Sequence, residues 1–156
     1  MTHVVCPGSF DPMHKGHLDV VERAAKLFDT VTVLVATNTN KKYLFSLDER
    51  VSLCKKYVGD LDNVTVDVLG NSLLADYCKE HDAALVKGVR NGSDFEYEVP
   101  MSTINAELSG VETVFLASAA DVIHISSTIV KEVNYFGGDV SSMVNSATVQ
   151  ALESKR

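Results

Sequence analysis

The amino-acid sequence predicts an α/β fold built on a parallel sheet. Short apolar and β-branched runs alternate with segments of helical periodicity along the whole chain. One of these runs, Val31 to Ala36, is almost continuously apolar or β-branched, as is typical of a strand covered on both faces. Glycine-containing loops follow two of the predicted strands. We therefore predict βαβ units with right-handed crossovers and with helices on both faces of the sheet.

The individual elements follow from the same patterns. Strands are predicted near residues 4–6, 31–36, 63–69, 83–86 and 111–116, and helices near residues 18–28, 47–58, 73–78, 94–108 and 128–135. Ser46 and Glu49 form a capping-box pattern, and Pro100 is expected to bend or interrupt its helix. The tail from Asp139 to Arg156 is predicted to form one or two short helices. This order predicts a Rossmann-like, doubly wound sheet of five parallel strands, with residues 1–156 as a single domain.

Composition limits the class of protein. The 156 residues are 46% hydrophobic and 22% charged, which allows a buried core and argues against disorder. No apolar run approaches the roughly 20 residues that a membrane helix needs, and the first residues lack the pattern of a secretory signal. Cys6, Cys54 and Cys78 are an odd set without Cys-x-x-Cys spacing, so we expect reduced, buried thiols and a cytoplasmic location.

The net charge of −7 argues against a general nucleic-acid partner. A small polyanionic ligand needs only a local group of cations. In doubly wound sheets such ligands bind beyond the carboxyl ends of the strands, where the strand order reverses. We expect four loops to meet there, at residues 7–17, 37–45, 87–92 and 118–127. The cations in or beside these loops are Lys41, Lys42, Lys87, Arg90 and Lys131.

The segment from Cys6 to His17 is the strongest candidate for a phosphate site. It joins the first predicted strand to the first helix, and it contains Gly8 and Gly16. His17 falls in the opening turn of the helix, where free N–H groups and the dipole attract anions. Ser9 and His14 add further donors. The alternatives are a polar helix start without function, or a metal held by both histidines, for which no third ligand is evident.

Motifs elsewhere in the sequence limit the classes of enzyme that it could encode. The sequence contains no Gly-x-Gly-x-x-Gly, no P-loop and no Gly-x-Ser-x-Gly elbow. Lys41 and Lys42 could be a solvated pair, and the segment from Ser126 to Thr128 could be only a helix cap. Their predicted place at the ligand-binding edge favours a role in binding. Arg90 is suited to bind two phosphate oxygens at once.

These residues resemble a known superfamily. Gly8 to Pro12, followed by His14-x-Gly16-His17, resembles the first signature of the nucleotidylyltransferases, and Ile125 to Thr128 with Lys131 resembles the second. The block from Gly88 to Glu98 is similar to that of one family in this superfamily, the bacterial phosphopantetheine adenylyltransferases. Lys41-Lys42, the segment from Phe45 to Arg50 and the chain length agree with that family.

The resemblance implies an activity. A family member would transfer the adenylyl group of ATP to 4′-phosphopantetheine, giving dephospho-coenzyme A and pyrophosphate, in the penultimate step of coenzyme A biosynthesis. The attack would be in line, with no covalent intermediate. The resemblance also implies a Mg²⁺ ion bound with the ATP phosphates rather than directly by the protein, and a homohexamer. No membrane or nucleic-acid partner is expected.

The resemblance also implies roles for residues. His17 would stabilise the transition state, with Lys41 and Arg90 as further catalytic groups. The phosphopantetheine contacts would be Ser9, Lys41, Leu74 and Lys87. The ATP contacts would be Ser9, Phe10, His17, Gly88, Val89, Arg90, Glu98, Val122, Ile123, His124, Ile125, Ser126, Ser127 and Thr128. The sequence departs from the family pattern in four places: Lys87 replaces a common arginine, His14 a common threonine, Thr128 a common serine, and Val122 to His124 a more aromatic segment.

Two other functions remain open from the sequence. One keeps the superfamily and changes the acceptor, for example to nicotinamide mononucleotide. His14 and the segment from Ile125 to Thr128 favour it, whereas the block from Gly88 to Glu98 does not. The other is a regulatory domain that binds ATP without chemistry. The presence of His17 and Lys41 favours an enzyme.

Overall fold

The computed structural model describes residues 1–156 and confirms the predicted fold class. The strands are β1 (His3–Gly8), β2 (Thr30–Val35), β3 (Val64–Val68), β4 (Ala83–Val89) and β5 (Thr113–Ala117). The helices are α1 (Lys15–Leu27), α2 (Leu47–Val58), α3 (Leu74–Glu80), α4 (Gly92–Ser109), α5 (Ser127–Tyr135) and α6 (Ser146–Glu153). All neighbouring strands pair in parallel, in the order β3-β2-β1-β4-β5. The strand order therefore reverses between β1 and β4.

Alternate residues of the strands face opposite sides of the sheet, and each side has its own core. Val4 and Cys6 of β1 pack with Val21 of α1 and Cys54 of α2. Val5, the residue between them, belongs to a second core that includes Tyr77 and Cys78 of α3. Helices cover both faces, as the apolar runs predict. All three cysteines are buried and free.

A third core lies beside the sheet and fixes the C-terminal third of the chain. Phe45 and Leu53 of the α2 region pack there with Val130 of α5 and Leu152 of α6. Ile125, in the loop before α5, is part of the same core. This packing ties the 118–127 loop to the rest of the molecule. The predicted capping box of Ser46 and Glu49 is present at the start of α2.

The fourth strand is longer than predicted. Lys87, Gly88 and Val89, which we assigned to a loop, are strand residues paired with Phe115, Leu116 and Ala117 of β5. Pairing with a neighbouring strand outweighs the local preference of lysine and glycine for irregular structure. A Cβ on Gly88 would lie 2.7 Å from Cγ2 of Val20, so glycine permits close contact between β4 and α1.

The helix α4 is continuous through Pro100, where the sequence predicts a bend or an interruption. It runs from its N-cap, Asn91, to Gly110, whose φ of 68° ends it in the left-handed region. Its apolar side chains at helical spacing form a stripe that includes Tyr97 and Leu108, and this stripe is exposed. The stripe is therefore free to contact something outside this chain. No helix in the chain combines the length and apolar character needed to cross a bilayer.

Candidate active site

A cleft of about 360 Å³ lies at the carboxyl ends of β1 and β4, where the strand order reverses. Its walls come from the β1–α1 segment, the β4–α4 segment and the loop before α5. These are three of the four loops expected at this edge. The 37–45 loop contributes no residue to the walls. Ten predicted site residues line the cleft: Phe10, His17, Lys87, Gly88, Arg90, Glu98, Val122, Ile125, Ser126 and Ser127.

Two histidines occupy the start of α1. His14 is the N-cap, and its Nδ1 accepts hydrogen bonds from the N–H groups of Gly16 (3.0 Å) and His17 (3.3 Å). His17 Nδ1 in turn accepts from the His14 N–H at 3.1 Å, and the two rings stack with centroids 3.7 Å apart. Because each Nδ1 is an acceptor, each neutral ring carries its proton on Nε2.

Both imidazoles are neutral at physiological pH. Burial, and to a smaller extent the positive charge of Arg90, together lower the pKa of His17 from 6.5 to about 4. Burial, followed by the charges of His17 and Arg90, lowers the pKa of His14 even more. His17 therefore presents a neutral Nε2–H donor in the cleft, in the first turn of a helix whose free N–H groups favour anions.

The opposite wall of the cleft carries two ion pairs. Arg90 contacts Asp94 through its Nε, at 3.0 Å, and its backbone N–H also donates to Asp94 at 2.9 Å. The Asp94 carboxylate raises the pKa of the guanidinium. Lys87 Nζ lies 3.2 Å from Glu98 of α4. The carboxylates hold both cations in place, and a bound phosphate would compete for them.

Ser126 and Ser127, at the start of α5, connect the two regions that carry the sequence signatures. Ser126 is the N-cap of α5, and its Oγ accepts from the N–H of Ile129 at 3.1 Å. Ser127 Oγ donates to the carbonyl of Pro12 at 2.9 Å, across 115 residues of sequence. The start of α5 is thus held directly against the loop that leads into α1. Both serines line the cleft.

Several predicted site residues lie outside the cleft walls. Val89, Ile123, His124 and Thr128 do not line the cleft, and Ile123, His124 and Thr128 are exposed. Three of the four predicted phosphopantetheine contacts are also absent from the walls. Leu74 packs beside the second core, Lys41 is exposed on the 37–45 loop, and Ser9 lies next to Tyr43. Their roles stay predictions.

Other residues of the cleft were not predicted as site residues. Asp94, Tyr97 and Ser118 line it. His14, which the sequence places in the candidate phosphate site, lines the cleft as well. Asp94 could have been identified from the sequence, because an acidic residue four positions after Arg90 at a helix start can pair with that arginine. The capping role of His14 could have been identified too, since a side-chain acceptor just before a helix is an N-cap candidate. Tyr97 belongs to the apolar stripe of α4, and Ser118 is the first residue of the 118–127 loop that the sequence places at this edge.

The donor groups of the cleft do not form a metal cage. No three His, Cys, Asp or Glu side chains of the chain converge on one point. Asp94 and Glu98 are paired with cations, and Asp11 accepts from two backbone N–H groups and from Lys131. This set fits a hard divalent cation held by the phosphates of a ligand and by water, rather than by a protein-only site.

The chain matches the family model described as cytidylyltransferase-like over residues 5–133. The structure of a bifunctional NMN adenylyltransferase/ADP ribose pyrophosphatase from Francisella tularensis, complexed with AMP and a manganese ion, superposes with a TM-score of 0.71 at 18% identity. That match covers 98% of this chain and 48% of the other. The superposition shows a shared fold, and the family match identifies the chain as a nucleotidyltransferase.

Curated relatives identify the family. A phosphopantetheine adenylyltransferase from Paenarthrobacter aurescens is 50% identical, and one from Pseudarthrobacter chlorophenolicus is 52% identical. Each match covers 97% of this chain and 92% of the relative. The chain belongs to the phosphopantetheine adenylyltransferase family, which confirms the resemblance found in the sequence.

Proposed function

We propose that this chain transfers the adenylyl group of ATP to 4′-phosphopantetheine, giving dephospho-coenzyme A and pyrophosphate. The observation that carries the proposal is identity of about half of all residues with phosphopantetheine adenylyltransferases over 97% of the chain. The cleft supports it with a neutral imidazole, two cations and a helix N-terminus at the edge where nucleotides bind in such sheets.

The reaction needs little acid–base chemistry. The nucleophile is a phosphate monoester, whose second pKa is near 6, so it is largely dianionic at neutral pH. One of its oxygens bonds to the α-phosphorus of ATP, and the bond from that phosphorus to pyrophosphate breaks in line. No proton has to be removed from the nucleophile. The task of the protein is to bring two polyanions together and to stabilise the developing charge.

We propose a separate role for each charged or polar residue of the site. We assign His17 the transition-state role, with its Nε2–H donating to an oxygen of the α-phosphate. Arg90 turns from Asp94 to the triphosphate, and Lys87 turns from Glu98 to the acceptor phosphate. Lys41 adds a further charge from its exposed loop. Ser9, Leu74 and the segment from Val122 to Thr128 keep the substrate contacts that the family pattern implies.

A divalent cation belongs to the chemistry of this class, and we propose Mg²⁺ held by the ATP phosphates, where it would neutralise part of their charge. We also propose that residues 1–156 act as one nucleotidylyltransferase domain. A homohexamer is proposed as the assembly, supported by the exposed apolar stripe of α4. A cytoplasmic location is supported by the three free cysteines.

One incubation tests the activity. The protein is mixed with ATP, Mg²⁺ and, separately, 4′-phosphopantetheine, nicotinamide mononucleotide or dephosphorylated pantetheine. We expect pyrophosphate release and a mass corresponding to dephospho-coenzyme A with the first acceptor alone. A different adenylylated product, or none, would refute the assignment. The pantetheine control shows that the terminal phosphate is the nucleophile.

A further inference from the structure

Arg50 of α2 is a buried cation without a carboxylate partner. Its side chain is only 1% exposed, and it takes part in none of the ion pairs of the chain. Its guanidinium donates to the carbonyls of Ser9 (2.8 Å) and Ala36 (2.9 Å) and to Thr37 Oγ1 (2.8 Å). Its Nε is buried without a partner. Burying a charge in this way costs stability, so a functional reason for it is worth seeking.

Tyr43 extends the contacts of Arg50. The guanidinium carbon lies 4.1 Å from the centre of the Tyr43 ring, a cation–π distance. The phenol oxygen accepts from the N–H of Asn38 at 2.7 Å and is hydrogen-bonded to Ser9 Oγ at 3.2 Å. Arg50 and Tyr43 together bind the backbone and the side chain of Ser9, and they hold the first residues of the 37–45 loop.

The other end of the 37–45 loop is fixed by Asp11. Its carboxylate accepts from the N–H groups of Leu44 and Phe45, each at 3.0 Å, and pairs with Lys131 at 3.1 Å. Both stems of the loop are therefore anchored to buried charged groups. Between them, Lys41 and Lys42 are exposed. The 37–45 loop is therefore fixed at both ends, and its two lysines are exposed between them.

We infer that Arg50 and Tyr43 are positioning residues for the acceptor phosphate, acting through Ser9 and the loop that carries Lys41. The inference rests on the proposed function, in which Ser9 and Lys41 contact phosphopantetheine. Because neutral carbonyls, a hydroxyl and a ring face are the direct partners of Arg50, its charge is not neutralised by an ion pair, and it retains a positive field. That field adds to the attraction between the loop and a dianionic acceptor.

The test variant is Tyr43→Phe, which keeps the ring beside Arg50 and removes only the hydroxyl. The variant loses the hydrogen bonds of the hydroxyl to Ser9 and to Asn38. We expect the KM for 4′-phosphopantetheine to rise about three- to tenfold, which corresponds to the net worth of about one hydrogen bond in acceptor binding. The KM for ATP should rise less than the KM for 4′-phosphopantetheine, because of the residues held here only Ser9 is also assigned to ATP, and the Tm should change little. A purely structural role would change both KM values alike, or the Tm alone, and that result would overturn the inference.

The matched control is Tyr57→Phe. Tyr57 lies on α2, and its phenol oxygen likewise accepts a backbone N–H, from Asn145 at 3.0 Å, but that bond touches neither Ser9 nor the 37–45 loop. This variant should keep the parental KM values. The variant Arg50→Lys retains the charge and loses the planar fork, so it should raise the acceptor KM at least as much as Tyr43→Phe.

A second measurement does not depend on catalysis. Trypsin cleaves after lysine, and the exposed Lys41-Lys42 pair reports how firmly the loop is held. Tyr43→Phe should be cut there several times faster than the parent, and Tyr57→Phe should not. Equal cutting rates in the two variants would overturn the inference. Absence of transfer to 4′-phosphopantetheine by the parent protein would instead refute the proposed function, and the trypsin rates would still test the anchoring.

Discussion

Replacing His17 with alanine should lower kcat for adenylyl transfer by about 10²- to 10³-fold. The imidazole offers one preorganised neutral donor, and removing such a donor typically costs about 2.7–4 kcal/mol of transition-state stabilisation. The KM for ATP should change much less, because the donor acts mainly on charge that develops during the reaction. Turnover is measured as pyrophosphate released per enzyme under saturating substrates.

The same substitution removes interactions in the ground state. His17 Nδ1 accepts from the His14 N–H at 3.1 Å, and its ring meets Phe10 edge-on with centroids 5.0 Å apart. A hydrogen bond and an aromatic contact are each worth about 0.5–1.5 kcal/mol, so the free energy of unfolding should fall by about 1–3 kcal/mol. Urea unfolding measures this loss, and assays are run where the variant is fully folded.

Two further variants separate the explanations. His17→Gln retains an N–H donor on a side chain of similar reach, so it should recover part of the lost rate. His81→Ala alters an exposed histidine outside the cleft and should leave kcat unchanged. A folded His17→Ala enzyme with parental turnover would show that the imidazole does not stabilise the transition state.

Three other predictions follow from the structure. Lys41→Ala should lower kcat and raise the KM for the phosphorylated acceptor; unchanged steady-state kinetics would remove Lys41 from the site. Leu152→Ala deletes a fully buried side chain of the third core and should cost about 2–5 kcal/mol of unfolding free energy, measured in urea. The free energy of unfolding should decrease as the pH falls from about 6.5 towards 4. The pKa of His17 is about 4 in the folded protein and 6.5 in the unfolded chain, so the unfolded chain binds more protons in that range. Urea titrations at several pH values should show a smaller decrease for His17→Ala than for the parent, and an equal decrease would contradict the assigned shift.

The elements predicted best are those with a local cause. The alternating apolar runs, the capping box of Ser46 and Glu49, and His17 in the first turn of α1 all depend on residues a few positions apart. The position of the cleft also follows from the sequence, because parallel βαβ units bring the carboxyl ends of their strands to one edge.

The features missed depend on partners distant in sequence. The extension of β4 to Val89 depends on pairing with β5. A helical arginine such as Arg50 is usually solvated, and its burial follows only from the packing of Ser9, Ala36 and Tyr43 around it. The exposure of the α4 stripe could not be foreseen either, since a periodic apolar face does not reveal what covers it.

The close approach of Gly88 and Val20 brings β4 and α1 together at the cleft, which both residues line. Val20 lies on α1, whose first turn contains His17, and Gly88 lies two residues before Arg90. A methyl group at position 88 would overlap the Val20 side chain, whose β-branch leaves it little freedom to turn away. The first helix would then have to move outward, and the imidazole would separate from the guanidinium. The absence of a side chain at this position of β4 thus allows the groups on α1 and those after β4 to lie close together.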